Sequence, residues 1–203
     1  NADLYQPHYK DKYTHRHAVY TAAFIEKIEE HLPKEFNQAN WGMEDSFINL
    51  AAGHHNPYTS MQWIIAMADR ISSGWDRETF EKEYNLSVAW QDYKKTRLLP
   101  IFEGLMKDPK KAGKYSYSYP LKALSPESIF PGAVFDIKPK DNETASSEYK
   151  SLFDGFLHSL QGLMHKEENL ELWFEHFDSL FMIYTSAIPA ARPDNPPDSC
   201  TYR

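Results

Sequence analysis

Cysteine is almost absent from this chain of 203 residues, since Cys200 is the only one. A single cysteine cannot form an intramolecular disulfide, so the sequence excludes a disulfide-stabilised scaffold and fits a reducing compartment. Long hydrophobic runs are also missing, because no apolar stretch reaches the ~18 residues needed to span a bilayer. No signal-peptide pattern is visible at the N-terminus. We therefore expect a cytoplasmic location.

The chain also lacks an excess of basic residues. The 22 Lys and Arg residues are outnumbered by 29 Asp and Glu residues, which gives a net charge of -7. This balance argues against a surface that coats nucleic acid non-specifically. It still allows a local phosphate-binding site, because a bound metal ion supplies its own positive charge.

Aromatic residues are plentiful, at 15% of the chain, and favour ordered structure over disorder. The length suits one domain. We predict a mainly all-α, HD-type helical bundle with a small β-hairpin over residues 1–188. Residues 189–203 hold four prolines and read as a linker. Because the chain begins at Asn1 rather than methionine, we expect it to be an excised piece of a longer protein.

Two histidines fall on the apolar stripes of predicted helices. A helix over about residues 15–31, with Thr14 as its N-cap, carries His17 on one stripe. The other members of that stripe are Tyr20, Thr21, Phe24 and Ile28. In the next helix, His54 continues a stripe formed by Phe47, Leu50 and Ala51. This spacing predicts that His17 and His54 face the core.

An aspartate follows in the same pattern. Asn56-Pro57 interrupts the chain, because the residue before a proline is disfavoured in the helical region. Ser60 then suits the N-cap of a helix from about Met61 to Ser73, on which Asp69 shares a face with Ile65 and Ser72. A carboxylate beside an apolar stripe is costly unless it is paired or binds a metal ion.

These side chains predict a metal site. Imidazole and carboxylate groups from three helices, with His55 adjacent to His54, suit Mn, Fe, Co, Ni or Zn. The spacing alone leaves another interpretation open. Each histidine could be a satisfied core residue, and Asp69 could cap a helix or pair with Arg70 or Arg77.

Two later helices carry stripes that we assign to the core. The first stripe is Tyr149, Leu152, Phe153, Phe156 and Leu160, and the second is Leu170, Trp173, Phe174, Phe177 and Phe181.

We predict the β-hairpin between the segment TRLLPIFEGL, from residue 96, and residues 115–124. The turn between them contains Lys110, Lys111 and Lys114. Lysines beside tyrosines suit contact with the phosphates and bases of a single strand. A solvated hairpin tip is the simpler interpretation of the same residues, and we favour it.

Several motifs, taken in order, resemble one family. They are HAVYTA at 17–22, HHNP at 54–57, ADRISSGWDRE at 68–78, TRLLPIF at 96–102 and YPLKALSPESIFP at 119–131. As an ordered set they resemble the N-terminal HD domain of the large, polymerase-like subunit of type III CRISPR effector complexes. The resemblance covers most of the chain.

The resemblance implies a metal-dependent nuclease domain that hydrolyses single-stranded DNA in antiviral defence. It implies metal ligands at His17, His54, His55 and Asp69, with His54 and Asp69 in catalytic roles. One or two divalent ions are implied, with Mn, Ni, Co or Fe as the candidates. The implied partners are single-stranded DNA, the guide RNA and the other subunits of the complex, and a palm domain would follow the linker.

One departure from the family pattern leaves other functions open. The family usually opens with a His-Asp dyad, and no His-Asp dipeptide occurs in this chain. The palm domains with their Gly-Gly-Asp-Asp signature are also absent from it. One alternative is a catalytically inactive HD domain that acts as a scaffold in the complex. Another is an HD phosphohydrolase that acts on nucleotides.

Overall fold

The described part of the chain is mainly helical, as the sequence predicts. The structure, a computed structural model, describes residues 2–9, 12–13, 15–36, 45–78, 94–106 and 115–189. Two short antiparallel strand pairs accompany the helices. Within these ranges, no helix combines the length and the apolar character that a membrane crossing requires.

The chain divides into two compact units. The first comprises Asn1–Tyr84 and His165–Leu170, and the second comprises Asn85–Met164 and Glu171–Arg203. The predicted boundary between a domain at 1–188 and a linker stays a prediction, because residues 190–203 lie outside the described ranges.

The first unit is built from short helices that precede one long helix. Its elements are α1 (Ala2–Tyr5), β1 (His8–Tyr9), β2 (Lys12–Tyr13), α2 (His17–Ile28), a 3-10 turn (Glu29–His31), α3 (Phe47–Ala52), a second 3-10 turn (Gly53–His55) and α4 (Ser60–Glu78). Strands β1 and β2 pair antiparallel, with His8 opposite Tyr13. The turn Gly53–His55 joins α3 to α4 and carries the paired histidines.

Local capping explains where α3 and α4 begin. The hydroxyl of Ser46 accepts a hydrogen bond from the backbone N–H of Asn49 at 3.2 Å, which caps α3. The hydroxyl of Thr59 accepts from the N–H of Gln62 at 3.2 Å. Thr59, rather than the predicted Ser60, therefore caps α4. The predicted cap at Thr14 lies outside the described residues.

The inward face of α2 differs from the predicted one. Its buried residues are Ala18, Ala22, Ile25 and Ile28, and His17 is exposed at its first turn. Ala18 and Ala22 form a buried cluster with Tyr5 and Ala52. Small side chains allow α2 and α3 to pack closely, so the alanines define the inward face. The prediction that His17 faces the core is therefore wrong, and His54 is only half-buried.

The second unit contains the rest of the helices and one strand pair. Its elements are α5 (Ile101–Met106), β3 (Tyr117–Ser118), β4 (Gly132–Ala133), α6 (Val134–Ile137), α7 (Asn142–Gln161) and α8 (Leu170–Thr185), whose first residue belongs to the first unit. Tyr117 pairs with Ala133 in this sheet. The segment from residue 96 was predicted as the partner strand, but it forms α5 from Ile101 onward. One backbone hydrogen bond still joins the two segments, because the N–H of Tyr119 donates to the carbonyl oxygen of Leu98 at 2.9 Å.

The core of the second unit follows the predicted stripe on α7. Leu152, Phe156 and Leu160 are buried. The α8 stripe is confirmed only in part, because Trp173 is 1% exposed whereas Phe174 is 54% exposed. These two helices therefore supply a large part of the apolar core of the unit, to which Leu98 and Leu121 also belong.

A buried arginine stabilises the approach to α5. Arg97 donates to the carbonyl oxygens of Lys94 and Thr96, each at 2.8 Å, and forms an ion pair with Glu148 on α7. Burial lowers the pKa of Arg97. The three acceptors replace the water that this guanidinium loses on folding.

Candidate metal centre

Three histidines bring their ring nitrogens together in the first unit. His17 lies in the first turn of α2, and His54 and His55 occupy the 3-10 turn after α3. One ligand atom from each lies within 4.8 Å of the other two. The Nε2 atoms of His17 and His55 are 2.5 Å apart. Three of the four predicted ligands therefore meet at one point.

The turn that carries His54 and His55 packs tightly against α4. A Cβ atom added to Gly53 would lie 3.2 Å from both Cδ and Oε1 of Gln62. Contact at that distance is tighter than a side chain tolerates without movement of its neighbour, so glycine permits the close approach. Gln62 is itself restrained, because its Oε1 accepts from the N–H of Tyr58 at 2.9 Å.

The buried carboxylate of Asp45 holds the side chain of Gln62 in place. Asp45 is 2% exposed and accepts a hydrogen bond from Nε2 of Gln62 at 2.6 Å. The hydroxyl of Thr59 donates to the other oxygen of the same carboxylate. This network was not predicted from the sequence. The spacing of Thr59 and Gln62, which matches a Thr-x-x-Gln capping pair, was the available signal.

His54 has a defined tautomer. Its Nδ1 lies 2.8 Å from the carbonyl oxygen of Ala51, which can only accept. Nδ1 therefore carries a proton and donates, so the lone pair of the neutral imidazole would be on Nε2. A hydrogen bond of this kind to a backbone carbonyl is how proteins orient a histidine that binds metal through its other nitrogen.

The surroundings keep His17 and His55 neutral. Burial, followed by the neighbouring His54, His15 and His17, lowers the pKa of His55 to about 4. Although His17 is exposed, partial desolvation of its ring, followed by His54 and His15, also lowers the pKa of His17. Near pH 7 both imidazoles therefore offer a lone pair, which is the form that coordinates a metal ion.

Asp69 lies close to the cluster without joining it. Its carboxylate raises the pKa of both His17 and His55, against the larger effects that lower them. It is not among the ligand atoms that lie within 4.8 Å of one another. Asp69 is exposed on α4, whose buried positions include Gln62 and Ala66, so it is not on the inward face that the sequence predicts. Its roles as ligand and catalytic residue stay predictions.

The donor set fits a divalent transition metal. Neutral imidazole nitrogens suit Mn, Fe, Co, Ni and Zn. Metal–nitrogen distances of about 2.0–2.1 Å with tetrahedral angles place two ligand nitrogens roughly 3.3 Å apart. The His17–His55 separation of 2.5 Å is shorter than that spacing. Small side-chain rotations would therefore open the cluster around one ion.

Comparison with protein-family models, curated proteins and solved structures finds no match. The family resemblance of the motifs therefore stays a prediction. The geometry of the histidine cluster is therefore the observation that bears on function.

A fourth histidine, which the sequence analysis did not assign, contacts the cluster. The ring of His15 lies 4.2 Å from that of His55 and 5.9 Å from that of His17, measured between centroids. His15 has a φ angle of 58°, the one positive φ at a residue other than glycine in the described ranges. The string Thr-His-Arg-His was the available signal.

The weak substrate-binding candidates remain untested. Lys110, Lys111 and Lys114 lie outside the described residues.

Proposed function

We propose that this chain is a metal-dependent phosphodiesterase domain whose metal centre is formed by His17, His54 and His55. The convergence of three imidazole nitrogens within 4.8 Å carries this proposal. His17 is exposed and the other two are half-buried, so a substrate can approach the cluster. Histidines kept neutral at a solvent-accessible site suit metal binding better than core packing.

Each residue of the cluster offers a ring nitrogen to the metal ion in this proposal. His54 is held by its hydrogen bond to Ala51 and presents Nε2. His17 and His55 offer neutral nitrogens because their pKa values are lowered. A divalent ion bound there would lower the pKa of a coordinated water and neutralise charge on a phosphate.

Asp69 supplies the negative charge of the site. Its carboxylate is near enough to influence His17 and His55 electrostatically. An exposed carboxylate at this position can accept a proton from water or strengthen cation binding. We propose it as the general base or as an additional ligand.

The proposed substrate is single-stranded DNA, within a type III CRISPR interference complex. The motifs at 17–22 and 54–57 carry the resemblance, and they also supply the three histidines that meet in the fold. That coincidence supports the resemblance. The proposed setting is antiviral defence in the cytoplasm, with the guide RNA and other subunits as partners.

An inactive scaffold is the competing proposal. The chain has no His-Asp dipeptide, and the ligand group within the described ranges contains three nitrogens and no carboxylate. A centre with so few donors could bind metal weakly and leave the domain with an assembly role alone.

Calorimetry with Mn²⁺ and Co²⁺ tests the metal centre on the wild-type chain and on His54→Gln. We expect the wild type to bind and the variant to lose at least roughly tenfold in affinity, since even partners outside the ligand set change affinity by that factor. His158→Gln, an exposed position on α7, is the matched control and should bind as the wild type does.

Activity assays then separate the functions. Cleavage of single-stranded DNA that requires Mn²⁺ and is lost in His54→Gln supports the nuclease. Metal binding without cleavage of DNA or nucleotides would favour the scaffold. Absence of binding in the wild type would overturn the metal centre.

A further inference from the structure

We infer that His15 is a positioning residue of the proposed metal centre. The imidazole of His15 packs on His55 and holds that ring toward His17. The inference depends on the proposed function for its catalytic meaning. The ring contact itself exists in the metal-free protein and can be measured there.

His55 makes the closest ring contacts in the cluster. Its centroid lies 4.2 Å from that of His15, 4.1 Å from that of His54 and 4.5 Å from that of His17. The His15 and His55 planes are inclined by 34°, which is closer to stacking than the 79° between His17 and His55. His15 thus contacts His55 through its ring face, while His17 meets it edge-on with the nitrogens together.

The backbone of His15 explains how it reaches His55. Residues two apart in a helix project about 200° from one another, at 100° per residue. A helical His15 would therefore point away from the ring that His17 contacts. The φ of 58° breaks that relation just before α2, and the rings of His15 and His17 end 5.9 Å apart.

This backbone conformation is costly for a residue with a Cβ atom. The left-handed region is disfavoured for such residues because the Cβ atom approaches the carbonyl oxygen of the backbone. Such conformations persist where surrounding contacts impose them, and they occur often at functional sites. The carbonyl oxygen of His15 accepts from the N–H of Ala18 at 3.0 Å, so the conformation is tied to the first turn of α2.

Contact with His15 restricts the rotation of a half-buried side chain. His55 needs a fixed χ angle to keep Nε2 beside Nε2 of His17. A ring held in place before metal arrives loses less conformational freedom on binding. Removal of the His15 ring should therefore weaken metal binding although His15 is not among the three converging nitrogens.

Two substitutions separate the ring from its nitrogens. His15→Phe keeps a planar ring and has no donor atom. His15→Asn removes the ring and suits the left-handed conformation, since asparagine tolerates positive φ. Far-UV circular dichroism of the full chain checks that both variants fold.

The first readout is NMR of the metal-free protein. We expect nuclear Overhauser contacts between the ring of residue 15 and that of His55 in the wild type and in His15→Phe. In His15→Asn, the ring proton shifts of His55 should move toward those of a free histidine. Absence of the ring contact in the wild type would overturn the inference whether or not the protein binds metal.

The second readout is the affinity for Co²⁺ and its visible absorption spectrum. We expect His15→Phe to bind within about threefold of the wild type and His15→Asn to bind roughly tenfold more weakly, with an altered spectrum. Wild-type affinity in His15→Asn would show that the ring does not position His55. Equal losses in both variants would show that a nitrogen of His15 is needed, which would also contradict the inference.

A wild type that binds no Co²⁺ would instead count against the proposed metal centre. The NMR result would still decide the His15–His55 contact.

Discussion

The Nε2 atoms of His17 and His55 lie 2.5 Å apart, although 38 residues separate the two histidines in sequence. At that distance, one imidazole N–H donates to the lone pair of the other. A metal ion that takes both nitrogens must break this hydrogen bond, and the N–H proton moves to Nδ1 of the same neutral ring. Metal affinity should fall in acid, because a protonated imidazole cannot coordinate a metal ion.

The stability of the first unit should fall in acid because of His55. Its pKa is lowered from 6.5 to about 4, so the unfolded chain binds a proton in that interval while the folded chain does not. The contribution of His55 to the free energy of unfolding is highest above pH 6.5, falls as the pH drops toward 4 and changes no further below that value. The lowered pKa of His17 acts in the same direction.

Urea unfolding of the wild type and of His55→Gln, at pH 7.5 and at pH 4.5, measures this effect. Glutamine does not titrate, so the variant should lose less stability between the two pH values. Equal losses would contradict the assigned cause.

Removal of the Asp45 carboxylate should destabilise the turn that carries His54 and His55. Asp45→Ala leaves Nε2 of Gln62 and the hydroxyl of Thr59 without their acceptor. A buried donor that loses its partner costs about 1–3 kcal/mol, and we expect a loss of roughly 2 kcal/mol for this variant. Urea unfolding gives the total, and hydrogen exchange at the amide of Ala66 locates it in α4.

Asp45→Asn serves as the matched control for that measurement. It keeps the shape and one acceptor oxygen, so it should lose less than the alanine variant. Ordinary surface substitutions change the free energy of unfolding by no more than about 0.5 kcal/mol. A loss that small for Asp45→Ala would show that the network does not restrain the turn.

Two ion pairs that involve α7 should differ greatly in their contributions to stability. Glu148→Ala would leave Arg97 buried without its carboxylate, and breaking a buried pair costs about 3–5 kcal/mol. Because the Glu148 side chain is 32% exposed, we expect the lower end of that range or slightly less. Asp154→Ala breaks an exposed pair with Lys150, for which we expect at most about 0.5 kcal/mol.

Urea unfolding of the two variants, followed by hydrogen exchange in α7, makes the comparison within one helix. Similar losses from both substitutions would contradict a special role for burial at Arg97.

Five of the helices were predictable because their signals are local. Apolar periodicity located α2, α3, α4, α7 and α8, and Asn56-Pro57 marked the break between α3 and α4. The inward face of α2 was not predictable in this way. Alanines are weak signals of burial, yet Ala18 and Ala22 are the residues that fit the close contact with α3.

The candidate site was predicted in its residues more than in its geometry. His17, His54 and His55 do come together, whereas their expected burial does not follow. The role of His15 depends on one backbone angle, which sequence periodicity cannot reveal. The predicted strand pairing is wrong as well. Tyr117 pairs with the distant Ala133 rather than with the segment that precedes it.

The segment His165–Leu170 has a consequence for how this protein can be divided. It returns to the first unit between α7 and α8, where Lys166 donates to the carbonyl oxygen of Glu30 at 2.6 Å and Glu167 pairs with Lys34 at 3.6 Å. The polypeptide therefore passes between the two units at three places. A gene fragment that stops after Tyr84 encodes an incomplete first unit, so recombination at that position cannot transfer it whole to another protein.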